Sequence, residues 1–322
     1  MNTGAERSNY NVNKLKYTAA IISLASTALI ACGDQPDKNF HLSIVPVASA
    51  DTNNQPYIVL QRPDFANLLE KDWDTYLNNH VGEVDIAAYD FTTGQVAHTH
   101  YPKEADGATF DTASIVKLST LENLLLQSQT SGQPITPNQK AIAAEMIENS
   151  DNDAASILWN EVGDAPAMDD YWHQIGAVST TAATGGNWGN TQTTAIDQLK
   201  VVNAVAYAGT PLSPLSVESG TVANELMDNV VPDQRWGVSG GVPSDMPVKL
   251  KNGWFPDAFT ANAYSDTDDW TINSIGYTKG KYAIAVLTRG NPTMQDGIKT
   301  TEDLSTITWN DTQNPAELIV SR

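Results

Sequence analysis

Strand-like patterns lie toward both ends of the chain. Residues 84–91 (VDIAAYDF) favour a strand, Thr92-Thr93-Gly94 favours a turn, and residues 95–100 return as a second strand, which predicts a β-hairpin. Three more extended segments follow near the other end, at residues 248–251, 270–277 and 282–288, the last two joined through Lys279-Gly280. Both ends of the folded part therefore contribute strands.

Helical patterns fill the interval between these strands. In residues 112–127, apolar side chains recur at spacings of three and four, and Asp111 or Thr112 can serve as the N-cap. Further helices are predicted in this interval at residues 137–148, 154–162 and 194–208, and a final helix after the last strand at residues 296–307. This order predicts an α/β (α+β) fold, in which one sheet built from both chain ends carries an inserted helical lobe. Such a layout leaves a cleft between the lobes.

The charge balance and the cysteine count exclude several classes of function. The chain has 322 residues, with 18 Lys and Arg against 38 Asp and Glu, a formal net charge of −20. No nucleic-acid partner is expected, because neutralising phosphates requires clustered basic residues. A single cysteine excludes an internal disulfide, a four-cysteine zinc site and an iron–sulfur cluster.

The histidines do not suggest a metal site. None of the five has metal-ligand spacing on one helix, and His98 and His100 alternate on a strand face as a predicted solvated pair. We therefore expect neither a metal nor another cofactor.

The cysteine, Cys32, ends an uncharged apolar stretch at residues 17–31. Basic residues precede this stretch, which is too short to span a bilayer as a helix, and that order is typical of a secretory signal. Leu29-Ile30-Ala31-Cys32 resembles the lipobox of bacterial lipoproteins, which implies that Cys32 becomes a lipid-modified N-terminus. A plain signal peptide with an incidental cysteine, or a buried apolar helix, is the alternative.

The domain organisation follows from this interpretation. We predict a lipoprotein signal peptide at residues 1–31, a polar tether at residues 32–57 and one folded domain at residues 58–322. The exported domain is then expected at the outer face of the cell membrane, held there by its lipid.

Three short motifs carry side chains suited to chemistry, and the first is Ser-x-x-Lys. Ser114 precedes Lys117 by close to one helical turn, so the amine is expected on the same face as the hydroxyl. A serine is a weak nucleophile until a neighbour removes its proton, and a partly desolvated lysine with a lowered pKa can do so. An exposed serine beside a surface lysine is the alternative interpretation.

The other two motifs lie further along the chain. In Ser150-Asp151-Asn152 a hydroxyl and an amide can relay a proton and bind a substrate, whereas the alternative is a plain cap for the helix that begins at Ala154. In Lys251-Asn252-Gly253-Trp254 the lysine supplies a cation for an anionic substrate, and the glycine lets another backbone pass close to the strand. Alone, this last motif is an ordinary strand-to-turn signal.

In this order the three motifs resemble the signature of class A β-lactamases and penicillin-binding proteins, over roughly residues 84–310. Residues 150–155 (SDNDAA) and 251–254 (KNGW) also resemble the forms found in lipid-anchored serine hydrolases related to class A enzymes. The resemblance implies a β-lactamase/transpeptidase-like fold, with an antiparallel sheet flanked by helices. It also implies a β-lactam or peptidoglycan-related small molecule as the substrate.

The resemblance implies three catalytic residues. Ser114 is the nucleophile that forms an acyl-enzyme, and Lys117 is its base or the proton relay to it. Ser150 passes a proton to the leaving nitrogen.

The substrate-binding residues are implied in the same way. Asn152 holds Lys117 and the substrate's amide side chain, and Lys251 attracts the substrate carboxylate. Asn252 replaces the family's threonine with an amide that can still donate a hydrogen bond. Gly253 precedes Trp254, whose backbone N–H forms the oxyanion hole together with that of the nucleophile.

Two departures from the family pattern bear on turnover. Class A enzymes place a deacylating glutamate in a loop after the Ser-Asp-Asn helix, but here no glutamate lies between Glu161 and Glu218, and residues 184–190 (TGGNWGN) contain no carboxylate. Three aspartates that follow Glu161 are predicted in a polar linker and helix start, namely Asp164, Asp169 and Asp170. The interval between Ser114 and Ser150 is also short, which implies a trimmed helical lobe.

The sequence thus predicts a monomeric serine hydrolase that β-lactams acylate and that hydrolyses them slowly. A D-Ala-D-Ala peptidase, or another amide or ester hydrolase, is the alternative enzyme. A non-catalytic cell-envelope binding lipoprotein and a lipoprotein that delivers solutes to a transporter are the alternatives outside catalysis. The three ordered motifs argue against solute delivery, which has no need of them.

Overall fold

The computed structural model describes residues 57–61, 64–105, 107–256, 269–313 and 317–321. The predicted signal peptide, Cys32 and nearly all of the predicted tether lie outside these residues. Within them, no helix combines the length and the hydropathy that a membrane crossing needs.

The strands form one large sheet and two small ones. In chain order they are β1 (Tyr57–Gln61), β2 (Glu83–Asp90), β3 (Val96–Tyr101), β4 (Phe110–Asp111), β5 (Gln192–Thr193), β6 (Val248–Pro256), β7 (Trp270–Thr278), β8 (Tyr282–Asn291) and β9 (Glu317–Ser321). The large sheet has the order β3-β2-β8-β7-β6, and all of its pairs are antiparallel. The predicted sheet from both chain ends is confirmed, and β6 forms one of its edges.

Helices cover the sheet and form the inserted lobe. In chain order they are α1 (Phe65–Leu77), α2 (Val116–Ser131), α3 (Pro137–Glu148), α4 (Asn152–Glu161), α5 (Asp164–Gln174), α6 (Ala195–Ala206), α7 (Val217–Asp228) and α8 (Met294–Thr312). Helix α8 packs on β7 and β8 with α1 beside it, and α6 packs on β2, β7 and β8. The predicted α/β architecture with an inserted helical lobe is therefore confirmed.

Helix α2 occupies the centre of the helical lobe, where it contacts α3, α4, α5, α6 and α7. Its first eleven residues are all buried, so polar side chains of this helix lie in the core. Among them is Glu122, whose Oε2 accepts a hydrogen bond of 2.6 Å from Tyr171 Oη. Burial raises the pKa of Glu122 well above its usual value, although the Tyr171 hydrogen bond acts in the opposite direction. A helix held on every side is a rigid support for residues at its N-terminus.

The element predictions differ from the structure in instructive places. The helix start predicted among Asp164, Asp169 and Asp170 is confirmed, but the polar linker is wrong, since Asp164–Gln174 forms α5 and buries Met168, Tyr171 and Trp172. Helix α1 escaped prediction although Phe65, Leu69, Trp73 and Leu77 form one buried stripe at a spacing of four. The helix predicted from residue 112 begins at Val116, because a short 3₁₀ turn at Ala113–Ile115 precedes it.

Candidate active site

The 3₁₀ turn at Ala113–Ile115 places Ser114 at the N-terminus of α2. Ala113 has a φ of 47°, a left-handed conformation that is uncommon for a residue with a Cβ. Ser114 itself is half-buried. Backbone N–H groups at a helix N-terminus carry positive potential, so this position favours a developing negative charge beside Ser114.

Lys117 lies one turn further along α2 and is completely buried. Its Nζ donates hydrogen bonds to Ser150 O at 2.6 Å, Asn152 Oδ1 at 2.7 Å and Ser150 Oγ at 3.2 Å. Burial lowers the pKa of Lys117 from 10.5 to about 7, and the Asp151 carboxylate opposes this shift. In the described part of the chain no hydrogen bond joins Lys117 to Ser114 Oγ, and such catalytic contacts often tighten only when substrate binds.

A second buried lysine meets the first at Ser150. Lys251 Nζ donates to Ser150 Oγ at 2.9 Å and to Asn252 O at 2.9 Å. Burial lowers the pKa of Lys251 well below its usual value, and the nearby charge of Lys117 lowers it further. Among the described residues, no carboxylate lies within ion-pair distance of either amine. Lys117 therefore has access to the neutral form, which can accept a proton, and neither amine has a carboxylate paired with it in this part of the chain.

Gly253 brings strand β6 against the backbone of the Ser114 turn. A Cβ at this position would lie 2.6 Å from Ser114 N, 2.8 Å from Ile115 N and 2.9 Å from Thr112 O. Side chains alternate along a strand, so Lys251 shares this face with Gly253. The predicted close approach of another backbone is found here, and it unites the first and third motifs.

Asn252 points to the opposite face of β6. Its Nδ2 donates to Gln234 O at 2.8 Å and Trp236 O at 3.1 Å, and its Oδ1 accepts from Ser274 Oγ at 2.6 Å. Both amide hydrogens are thus bonded within the protein, and the hydrogen bond to substrate expected from the sequence has no free donor here. Trp254 shares this face, with its ring centroid 5.8 Å from that of Trp236.

The segment before β5 supplies an aromatic side chain, Trp188, that belongs to none of the three sequence motifs. The Trp188 ring centroid lies 4.8 Å from Lys117 Nζ, and Trp188 Nε1 donates to Ser156 Oγ at 3.2 Å. No carboxylate accompanies it in residues 184–190. Asp169, one of the aspartates between Glu161 and Glu218, accepts a hydrogen bond from Ala182 N at 2.8 Å and so has a structural role. An indole thus lies beside the buried amine on this side of the cluster.

A buried ionic cluster lies apart from these groups, around His100. The predicted solvated pair is wrong for His100, which is 2 % exposed, with Nε2 at 3.0 Å from Glu83 Oε1 and Nδ1 at 3.8 Å from Asp85 Oδ1. Arg289 also pairs with Glu83, at 2.6 Å. His98 lies 2.7 Å from Asp85 Oδ1 and stays partly exposed. Within the described residues, no group of three or more acidic, His or Cys side chains is arranged to hold a metal ion.

This cluster predicts a pH-dependent contribution to stability. Burial lowers the pKa of His100, but the Asp85 and Glu83 carboxylates outweigh it and raise the pKa from 6.5 to about 9. A pKa raised on folding stabilises the fold fully below pH ~6.5 and loses that effect as pH rises through about 9. His100→Gln should therefore lower the free energy of unfolding by roughly 1–3 kcal/mol at pH ~6 and by much less at pH ~10.

Urea unfolding of both proteins at the two pH values measures this difference. His173→Gln is the control, because His173 is exposed on α5. If His100→Gln lowers the free energy of unfolding equally at both pH values, the imidazolium charge does not stabilise the fold.

The sheet order and the cluster of Ser114, Lys117, Ser150 and Lys251 define a class of protein, the penicillin-recognising serine hydrolase superfamily. Within it, the chain belongs to the β-lactamase enzyme family, whose sequence profile matches residues 128–312. That match includes Ser150 and Lys251 but begins after Ser114 and Lys117.

Solved structures share the fold at low sequence identity. A class A β-lactamase from Bacteroides cellulosilyticus superposes with a TM-score of 0.62 at 16% identity, over 77% of this chain and 98% of that one. The L158E mutant of PBP-A, solved as an acyl-enzyme complex with penicillin G, gives a TM-score of 0.59 at 14% identity, over 75% and 95% of the two chains. These similarities establish the fold alone.

A curated relative is LppW of Mycobacterium tuberculosis, a lipoprotein by name. It is 25% identical over 174 residues, which are 53% of this chain and 54% of LppW. The match therefore spans only about half the length of that relative.

Proposed function

We propose that the protein is an active-site-serine hydrolase in which Ser114 is acylated by β-lactams. The observation that carries the proposal is the convergence of Lys117 and Lys251 on Ser150 Oγ, at 3.2 and 2.9 Å, next to the turn that bears Ser114. Two buried amines without a carboxylate stabilise the fold poorly, since each loses hydration. Such an arrangement is suited to moving protons and attracting an anion.

The proton path follows from these contacts. Neutral Lys117 takes the proton of Ser114 Oγ as the oxygen attacks the lactam carbonyl carbon and forms the new C–O bond. The resulting ammonium passes a proton through Ser150 Oγ to the lactam nitrogen while the C–N bond breaks. The ring-opened amine then remains attached to the acyl group on Ser114.

The substrate is held by groups around this path. Lys251 attracts the substrate carboxylate, which supplies the anion that the cluster lacks. Asn152 is exposed and uses Oδ1 for Lys117, so its amide nitrogen is available to a substrate amide. The oxyanion is bound by the backbone N–H groups of Ser114 and Trp254, the latter on the edge strand β6.

Deacylation is proposed to be slow. Hydrolysis of the acyl ester requires a base that activates water, and Trp188 lies beside Lys117 on a segment without a carboxylate. A persistent acyl-enzyme would resemble the acyl-enzyme complex that the L158E mutant of PBP-A forms with penicillin G.

Lipid anchoring at the outer face of the cell membrane is also proposed. It rests on the lipobox-like sequence that ends at Cys32, which lies outside the described residues, and on the lipoprotein name of LppW. Labelling with a radioactive or alkyne-bearing fatty acid tests it, since Cys32→Ala should abolish incorporation.

Acylation is tested by mixing the purified protein with a chromogenic cephalosporin while intact mass is followed. We expect a stoichiometric burst and a persistent adduct that peptide mapping places on Ser114, and no adduct in Ser114→Ala. Sustained turnover that Ser114→Ala loses would make the protein a β-lactamase with a water-activating group outside residues 184–190. The absence of both adduct and turnover would overturn the β-lactam proposal and favour a D-Ala-D-Ala peptidase, another hydrolase or a binding lipoprotein.

A further inference from the structure

We propose that Asn273 of strand β7 is a positioning residue for the Ser114 nucleophile. Its Nδ2 donates hydrogen bonds to Asp111 O at 2.8 Å and Thr112 O at 3.0 Å, the carbonyls that lead directly into the Ser114 turn. Asn273 is completely buried, and its Oδ1 accepts from Thr288 N at 3.1 Å. The inference rests on the proposed function, because it concerns the reactivity of Ser114.

The approach to Ser114 needs such support because its backbone is strained. Ala113 has a φ of 47°, in the left-handed region, which is unfavourable for a residue with a Cβ and persists only where the surroundings enforce it. On one side of Ala113, Thr112 N donates to Thr191 O at 2.8 Å. On the sheet side, Asn273 Nδ2 donates to the carbonyls of both Asp111 and Thr112.

The position of Asn273 in the sheet couples the nucleophile to the substrate-binding strand. Asn273 is the β7 residue paired with Gly253 of β6, and Gly253 is the residue against which the Ser114 backbone rests. One side chain therefore fixes the turn relative to the strand that carries Lys251. Polar residues inside a strand that is buried along nearly its whole length, Asn273 and Ser274 in the segment TINSIGY, are the sequence signal at this position.

The chain provides a matched control in Asn291. This asparagine is also buried, lies on the adjacent strand β8, and donates through Nδ2 to Trp270 O at 2.7 Å and Thr288 Oγ1 at 2.8 Å. An Asn→Asp change at either position keeps the size and the acceptor oxygen but removes the amide donor. Only the change at Asn273 releases the carbonyls before Ser114.

The test compares Asn273→Asp with Asn291→Asp in the purified protein, using penicillin acylation followed by intact mass over a range of concentrations. We expect the limiting acylation rate of Asn273→Asp to fall about 100-fold, because small misplacements of reacting groups have effects of this size. The concentration at half-maximal rate should change less than about threefold, since Lys251 and Asn152 stay in place. Asn291→Asp should keep the limiting acylation rate within about threefold of the wild type. Its loss of stability in urea should be similar to that of Asn273→Asp.

The outcomes separate the two proposals. Each variant is also titrated with a fluorophosphonate, which labels a reactive serine whatever its natural substrate. Labelling of the wild type without penicillin acylation overturns the β-lactam proposal, while slower labelling of Asn273→Asp than of Asn291→Asp still supports positioning. If the two variants react at equal limiting rates, the role of Asn273 is overturned. The same holds if Asn273→Asp changes only the penicillin concentration at half-maximal rate. Absence of any reaction in the wild type overturns both. If Asn273→Asp does not fold, Asn273→Ser keeps one donor hydrogen and is expected to lose about tenfold.

Discussion

Replacing Lys117 with methionine is expected to slow the acylation of Ser114 by about 1,000-fold, within the range that general-base catalysis contributes. Lys117 is suited to this role because burial lowers its pKa to about 7, so that close to half of the amine is neutral at neutral pH. Methionine fills the same space without a proton acceptor. Ser150 and Asn152 lack a basic nitrogen, so Lys251, which contacts Ser150 Oγ at 2.9 Å, is the amine that remains in the cluster.

The pH dependence of the wild-type rate supports the same argument. The base acts in its neutral form, so the acylation rate should rise with pH through about 7 and level off above it. Acylation measured by stopped-flow or quenched intact mass between pH ~5 and ~9 reports this profile. A flat profile, or one that rises only above pH ~9, would assign the proton transfer to another group.

A surface lysine controls for the loss of a positive charge. Lys140 lies exposed on α3, where it pairs with Glu225 at 3.3 Å. Lys140→Met should leave the acylation rate within about twofold, since an exposed ion pair contributes little. A wild-type rate in Lys117→Met would remove this residue from the mechanism and leave Lys251 as the candidate base.

Many of the helices and strands around the site are predictable from the periodic spacing of apolar residues. Residues 137–148 form α3 as predicted, and the extended segments from residues 248, 270 and 282 begin β6, β7 and β8. These elements bury one face or both, so their apolar spacing follows directly from the geometry of helices and strands. The order of strands and helices was then enough to predict a sheet built from both chain ends.

The finer geometry of the nucleophile was not predictable in this way. A helical spacing of apolar residues extends through Ile115 and gave no sign that Ala113 turns left-handed, a conformation usually signalled by glycine or asparagine. The support from Asn273 is separated from the turn by about 160 residues of chain. Contacts at such distances depend on sheet register, which short patterns do not contain.

Two other residues show how the resemblance and the local pattern can mislead. The resemblance placed Asn252 against the substrate, although strand alternation puts it on the face opposite Lys251, where it binds Gln234 and Trp236. The alternation of His98 and His100 suggested solvation, but His100 is paired across β2 and β3 with Asp85 and buried beside it. In both cases the neighbouring element decides the role of the side chain.

Gly253→Ala should reduce acylation by at least about 100-fold, although it removes no functional group. The added Cβ would lie within 3.0 Å of three backbone atoms, Ser114 N, Ile115 N and Thr112 O, and backbone held on both sides cannot move aside cheaply. Either the Ser114 turn or strand β6 must shift, which separates the nucleophile from Lys251. Overpacking of this kind also lowers the free energy of unfolding, typically by about 1–3 kcal/mol.

Gly189 provides the same substitution next to the same turn without the clash. A Cβ there would lie 3.7 Å from Ala113 Cα and 3.9 Å from Phe255 Cε1, which is ordinary van der Waals contact. Gly189→Ala is therefore expected to keep the acylation rate within about threefold. Penicillin acylation and fluorophosphonate labelling measure the rates, and urea unfolding identifies any variant that has lost its fold. If folded Gly253→Ala reacts as fast as Gly189→Ala, the close approach of β6 does not set the position of Ser114, and the coupling of nucleophile and substrate-binding strand is refuted.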